Sequence, residues 1–478
     1  MDPSQHPARH HYCSGRVAAT NRRDFLRRAG AGFGSLALAS LLDECGMLAA
    51  DEAAGGQKSP LAARPGHFPA KARSVIWLFM EGGPSGFDLF DPKPELTRRH
   101  GQRVANIQTH FGNPGPLLKS PYKFQQYGES GAWFCEKYAT LASCADDIAF
   151  IKSVHADSNN HAPAMYQMNT GSIRPGFPCT GAWVTYGLGS ENQNLPGFIV
   201  LPPGVGKGGP ANWGAGFLPS TFQGTLLRGS GQAILNLNKP DGLSTADQRA
   251  MLDLAGKLNA EHAAAHAGEA DLLARIEAFE LAYRMQLEAP EVVDMAGESA
   301  ETKALYGVDQ NNSFGVKCLL ARRLVERGVR FVQVYSNDEW DAHGSIVSNH
   351  NARCQETDVP IAGLLKDLKR RGLLDSTLVV WGGEFGRMPV SEGGAGRDHN
   401  AHGFLMWMAG GGIRGGTSYG ETDEIGYRAA ENPVSVPDIH ATILHQLGLN
   451  HERLTYKHNG RQFRLTDVAG NVLTKILA

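Results

Sequence analysis

The chain has 478 residues, of which 42% are hydrophobic and 20% charged, enough to bury one large core or two modest ones. Its formal net charge is −2 and no basic block interrupts it. That excludes the basic face of a nucleic-acid binder and the polybasic cluster of a protein held on acidic lipid.

Residues 1–20 are polar and rich in His and Pro. The run Asn21-Arg22-Arg23-Asp24-Phe25-Leu26-Arg27-Arg28 follows, then a weakly apolar stretch from Ala29 to Leu42. Paired arginines, Phe-Leu and a Gly/Ala-rich segment match a twin-arginine (Tat) export signal. The apolar part falls short of the roughly 20 residues that span a bilayer, so no stable membrane span is expected in the mature form. Ala49 and Ala50 offer a peptidase site before Asp51. The expected organisation is a signal region over 1–50, a linker over 51–70 and a single α/β domain over 71–478, exported by the Tat machinery to the periplasm or beyond. Of seven cysteines, Cys13 and Cys45 precede that site. The other five include no Cys-x-x-Cys pair, which argues against a zinc ribbon or thioredoxin-type motif. An oxidising compartment permits a disulfide, and Cys135 with Cys144 is the nearest pair.

Six apolar runs read as strands of a parallel sheet covered on both faces: Ser74–Met80, Ile148–Ser153, Phe198–Leu201, Val329–Tyr335, Thr377–Trp381 and Gly403–Ala409. Helical spacing follows over Phe314–Arg327, Pro360–Arg371 and Pro437–Leu447, each stopped by a glycine (Gly328, Gly372, Gly448). Strand, helix and glycine in repetition predict a mostly parallel α/β sheet flanked by helices. About residues 244–290, two Ala-rich amphipathic helices form a helical insert. Gly204–Gly231 reads as loop, and it does not join a strand to a helix as a phosphate-binding loop must.

Polar residues cluster just after the strands, where open α/β sheets build their sites. Glu81 and Asp88 follow the first strand as oxygen donors. His155 and His161 precede a helix among amide and carboxylate neighbours, a setting for metal ligation or acid-base work. Asp341 and His343, two apart on extended chain, point to one side and form a half-site for a divalent cation. Glu384 ends the fifth run beside glycines, where a cation or Arg387 can compensate its charge. Arg397, His399 and His402 precede the last run.

At these residues the chain resembles the secreted family labelled domain of unknown function 1501. The match is carried by the Tat signal, Gly82-Gly83-Pro84-Ser85 with Asp88 and Asp91-Pro92-Lys93-Pro94, Trp340-Asp341-Ala342-His343-Gly344, Glu384-Phe385-Gly386-Arg387, Gly396-Arg397-Asp398-His399 and Asp438-Ile439-His440-Ala441-Thr442. Gly460-Arg461 and Arg464-Leu465-Thr466-Asp467 complete it. The family looks like a branch of the alkaline phosphatase and sulfatase superfamily, which implies that fold for the domain. In that superfamily a strand ends in Asp-His or Asp-Asn before Gly; here Glu384-Phe385-Gly386 keeps one acid and loses the second ligand. His402-Gly403 matches a later His-Gly. His161-Ala162-Pro163-Ala164-Met165 with Thr170-Gly171 has the spacing of the sulfatase nucleophile motif, but His161 stands at the nucleophile and Met165 at the Arg.

The resemblance and the residues together imply an exported metal-dependent hydrolase of phosphate or sulfate esters, acting on an anionic small molecule or glycan and not on nucleic acid. One cation is expected on Asp341, His343 and His402, and a second on Glu384, His161 and Asp88 or Glu81, with His399 as a further ligand. Zinc suits the His-rich set, calcium or magnesium the oxygen-rich one. His161, Arg387 and Arg397 are the catalytic candidates, the arginines for the anionic group. The alternative is a non-catalytic relative that binds anionic glycans or serves as an envelope interaction protein.

Overall fold

The computed structural model describes residues 59–478 except 111–112, 204–205, 229–233, 235–241, 266–269 and 393. The export signal, its cleavage site, Cys13, Cys45, part of the expected linker and part of the loop over 204–231 lie outside the described residues. Each of the six apolar runs forms a strand of one sheet: β1 Ser74–Phe79, β2 Ile148–His155, β3 Phe198–Leu201, β5 Phe331–Tyr335, β6 Thr377–Gly382 and β7 Phe404–Ala409, joined by β4 Thr225–Leu226 within the stretch expected to be loop, β8 Thr417–Tyr419 and β9 Val434–Ser435. The order is β8-β2-β7-β6-β1-β5-β3-β4, and β9 also pairs with β2.

All pairings are parallel except those of β7, which runs antiparallel to both β2 and β6. The expectation of a parallel strand at Gly403–Ala409 is therefore corrected. A continuous apolar run reports burial on both faces and carries no direction. The reversal has a consequence for the site: residues just before β7 lie at the edge of the sheet where the other strands end.

Alternate residues of β1 enter opposite cores, as a period of two requires. Ile76 and Leu78 join Phe314, Leu320, Leu364 and Leu368 on one face. Val75, Trp77 and Phe79 join Met165, Trp183 and Ile443 on the other. The first face is covered by α5 Ser313–Glu326 and α6 Ile346–Arg370, the second by α1 His161–Thr170, α2 Thr180–Leu188 and α7 Val436–Gln446. The mostly parallel α/β sheet flanked by helices is thus a three-layer arrangement.

Helix α6 starts fourteen residues before Pro360, where the sequence pattern placed its beginning. Proline has no N–H to give the carbonyl four residues back, which favours it at helix starts. Here the orphaned carbonyl of Glu356 accepts instead from Asn312 Nδ2 at 2.8 Å. The helical insert is the pair α3 Thr245–Ala265 and α4 Ala270–Val293, bridged by Arg249 and Glu280 at 2.7 Å. Its end is tied to α5, where Arg323 donates to the carbonyls of Glu291 and Val292. Met251, Leu254 and Leu258 of α3 are exposed. No helix among the described residues is long and apolar enough to cross a membrane.

All five described cysteines are buried free thiols, so the Cys135–Cys144 pairing is not formed. Burial pushes the Cys179 thiol up to about 12, away from the thiolate that exchange requires.

His440, fully buried on α7, gives Nε2–H to the Met168 carbonyl at 2.8 Å, and its Nδ1 has no partner. Burial lowers its pKa from 6.5 to about 4. Between those values the unfolded chain binds the extra proton and the folded one does not, so stability rises with pH and is lost on acidification. The loss amounts to on the order of 3 kcal/mol by pH 4. Urea midpoints measured at pH 7 and pH 4.5 should fall less for His440→Gln, which keeps a donor toward Met168, than for the native chain.

Candidate metal centre

The site is built at the sheet edge where β1, β2, β5 and β6 end. Past β1, Gly82 adopts φ +106°, and a Cβ there would lie 2.5 Å from the Trp340 nitrogen. That backbone approach is open to glycine alone. It lets the Gly82 N–H donate to both carboxylate oxygens of Glu384, at 3.0 and 3.1 Å. Glu384, fully buried past the end of β6, is thereby fixed and holds His161 Nδ1 at 2.6 Å.

His161 is the first residue of α1, and it is one of three imidazoles held in the same way. His343 Nδ1 lies 2.5 Å from Glu392 Oε2, and His399 Nδ1 lies 2.6 Å from the Asn159 carbonyl oxygen. Each Nδ1 faces an oxygen acceptor and holds a proton there, so that in the neutral ring the lone pair lies on Nε2. The three Nε2 atoms converge on one carboxylate. His161 Nε2 is 3.1 Å from Asp341 Oδ2, His343 Nε2 is 3.0 Å from Oδ1, and His399 Nε2 is 3.3 Å from Oδ1. The Nε2 atoms of His343 and His399 are 2.8 Å apart. Two such nitrogens beside a carboxylate need a positive centre among them, a proton when no metal is present or a metal ion in its place. Ligand atoms of His161, Asp341, His343 and His399 all lie within 4.8 Å of one another. Phe385 packs against the rings of His161 and His399, with centroids 4.9 and 4.4 Å away.

Arg387, fully buried, donates to Asp341 Oδ1 at 2.7 Å, to the Gly83 carbonyl at 2.9 Å and to the Gly82 and Arg397 carbonyls. Lys207 Nζ lies 2.8 Å from Glu339 and 2.9 Å from Asp341. Four carboxylates (Glu339, Asp341, Glu384, Glu392) thus face two permanent cations, and the balance is made up either by protons on the imidazoles or by a cation bound in their place. Burial disfavours a charged Asp341, but the three imidazoles and Arg387 outweigh it and hold the carboxyl far below its usual range. Burial likewise opposes a charged His161, yet its bonds to Asp341 and Glu384 raise it. Asp341 is the first cause raising His343. Burial pushes His399 down to about 4, with Arg387 and His161 adding to the shift.

The family described as "Protein of unknown function (DUF1501)" matches residues 72–477. The chain belongs to this family. Among curated proteins none matches it. Solved structures similar to it include the lipoteichoic acid synthase LtaP of Listeria monocytogenes, at 10% identity over 85% of this chain and 78% of that one, with a TM-score of 0.35. A sulfatase from Pseudoalteromonas sp. shows 12% identity over 85% and 72%, with a TM-score of 0.37. The phosphonate monoester hydrolase of Silicibacter pomeroyi shows 11% identity over 71% of each chain, with a TM-score of 0.34.

In this DUF1501 chain the family's motifs meet around the cluster. Gly396 is another backbone approach, since a Cβ there would collide with the His343 carbonyl oxygen at 1.6 Å. Asp398 Oδ1 accepts from the His399 N–H at 2.7 Å. Four residues named from the sequence stand elsewhere. His402 is exposed and turns its ring toward Tyr427, 5.4 Å away. Its ring lines a separate cavity, and His399, three residues earlier, takes the place expected of it. Asp88 and Arg397 are fully buried and pair with each other at 2.8 Å, with Ser85 Oγ donating to Asp88 at 2.6 Å. That ion pair commits Asp88 away from a cation and Arg397 away from a substrate. Arg387 is equally committed, to four protein oxygens. Glu81 accepts from the Lys207 N–H at 2.6 Å. Burial first, and the charges of Glu384 and Glu339 after it, raise its carboxyl to about 7. Glu392, Lys207 and Asn159 were not singled out from the sequence. Glu392 sits in an irregular Gly-rich stretch and Lys207 in a Gly-rich loop without periodicity, and Asn159 acts through its backbone.

The Asp88–Arg397 pair makes a separable prediction. Arg397→Met alone leaves a buried carboxylate unpaired and should cost about 3–5 kcal/mol in chemical denaturation. Asp88→Asn with Arg397→Met should recover much of that loss.

Proposed function

We propose that this protein is an exported metal-dependent hydrolase of phosphate or sulfate esters. The observation that carries the reading is the convergence of three Nδ1-anchored imidazoles and Asp341 on one point. Neutral imidazoles with a lone pair at Nε2 and an ionised carboxylate are the donor set of a catalytic zinc site. Their Nδ1 partners, Glu384, Glu392 and the Asn159 carbonyl, orient the rings as outer groups do around metal-bound histidines. A cation held there would act as a Lewis acid on an ester oxygen and lower the pKa of water.

The chain's own residues would do the rest. Asp341 balances cationic charge, and Arg387 holds it in place. Lys207, about 29% exposed and shared between Glu339 and Asp341, is the cation at the cluster that could exchange a protein carboxylate for an anionic ester oxygen. His161 takes the position of the superfamily's nucleophile in the order of the motifs, and its Nε2 is directed at Asp341, which suits a ligand better than an attacking group. Zinc is the metal favoured by the three imidazoles. The paired arginines at 22–23 supply the export half of the reading.

Elemental analysis of the protein purified without chelator should find close to one equivalent of a zinc-class metal. His343→Ala should lose it, His402→Ala should keep it, and Glu384→Gln should bind about 10–100-fold more weakly. The loaded protein should turn over an aryl phosphate or aryl sulfate above a metal-stripped control. Stoichiometric metal retained in His343→Ala would overturn the ligand set. A loaded protein inert toward both esters would overturn the hydrolase.

A further inference from the structure

The His399–His402 segment connects the cluster to a second feature, a cavity of about 430 Å³. Its polar lining is Asn106, Gln108, His155, His402, Tyr427 and Arg428, and none of the residues lining it is acidic.

The charge at its mouth is uncompensated. The Arg428 guanidinium lies over the Tyr427 ring, 4.9 Å from its centroid, and has no carboxylate within salt-bridge distance among the described residues. The acid near it in sequence, Asp423, spends its oxygens on the backbone N–H groups of Ile425, Tyr427 and Arg428. Tyr427 is pinned in turn, since its hydroxyl accepts from the Gln108 N–H at 3.2 Å. The cavity falls within the roughly 300–1,000 Å³ of small-molecule sites and exceeds what a bare oxyanion fills.

It also abuts the frame of the cluster. Ala156 and Ala401 line it, and the Ala156 N–H donates to the Ala401 carbonyl at 2.9 Å. The Ala401 N–H donates to Asn159 Oδ1 at 2.7 Å, and the carbonyl of that same Asn159 holds His399.

We propose that this cavity binds a sugar-sized organic anion, whose phosphate, sulfate or carboxylate group pairs with Arg428 while Asn106 and Gln108 take its neutral polar groups. The assignment rests on shape and charge and does not require the metal reading.

The test uses metal-stripped protein and calorimetric titration with glucose 6-phosphate, glucose 6-sulfate and glucose. At least one ester should bind, with glucose weaker by about tenfold or more, the scale of losing one charge-assisted hydrogen bond. Arg428→Gln should weaken the ester by a similar factor. Arg428 is exposed, so the variant should fold, and an unchanged melting temperature would check it. His343→Ala should bind the ester as the native chain does. Three results would overturn the proposal: no binding of either ester, equal binding of glucose, or undiminished binding by Arg428→Gln. Binding lost in His343→Ala but kept in Arg428→Gln would place the anion at the cluster instead. Because no metal and no turnover enter, failure here leaves the hydrolase reading to its own measurement.

Discussion

Every other feature of the site serves one constraint: an imidazole can aim a lone pair only after its other nitrogen has been given an acceptor. Three acceptors are accordingly present, one for the Nδ1 of each ring that converges on Asp341. Glu384 is held by the N–H of Gly82, a residue whose backbone conformation no side chain would share. Asn159 contributes a carbonyl, and its side chain ties the same loop to the strand that follows His399. Phe385 packs against the rings of His161 and His399, which also meet edge to face, so the imidazoles pivot little. The glycines, the aromatic and the acids of the family's motifs are explained by this geometry more directly than by contact with a substrate.

The direction of β7 is the second requirement. In a wholly parallel sheet the residues preceding a strand lie at the opposite edge from those following it. By running antiparallel to β2 and β6, β7 delivers His399 to the edge where β5 delivers Asp341 and His343 and β6 delivers Glu384. The buried Arg387 and the Asp88–Arg397 pair then hold the loops of β1, β5 and β6 against one another.

Much of this was legible in the residues. The strand runs, the helices stopped by Gly328 and Gly448, and the candidate set containing His161, Asp341, His343, Glu384 and His399 followed from apolar continuity and from polar residues at strand ends. What escaped has physical reasons. Strand direction leaves no mark on a run buried on both faces. Pro360 looked like a helix start because its compensation, Asn312, lies on another helix. His402 and Asp88 offered the right atoms, but distance decides ligation, and a solvent-facing ring or a prior ion pair is not written in local sequence. Lys207 and Glu392 came from loops whose only local signal is glycine.

The parts of the cluster are far apart along the chain. His161 reaches its partner across 223 residues, and His399 reaches its own across 240. Asp341 and His343 lie close in sequence, but the full set of four ligands also needs His161, which the chain places far from them. On the metal reading proposed above, the three-layer core acts as a gate in time: the nascent chain offers a cation scattered side chains, and the finished domain offers it the whole candidate cluster. On the export reading proposed above, a leader that moves proteins already folded suits such a site, because it lets the compartment of folding, rather than that of residence, decide what fills it.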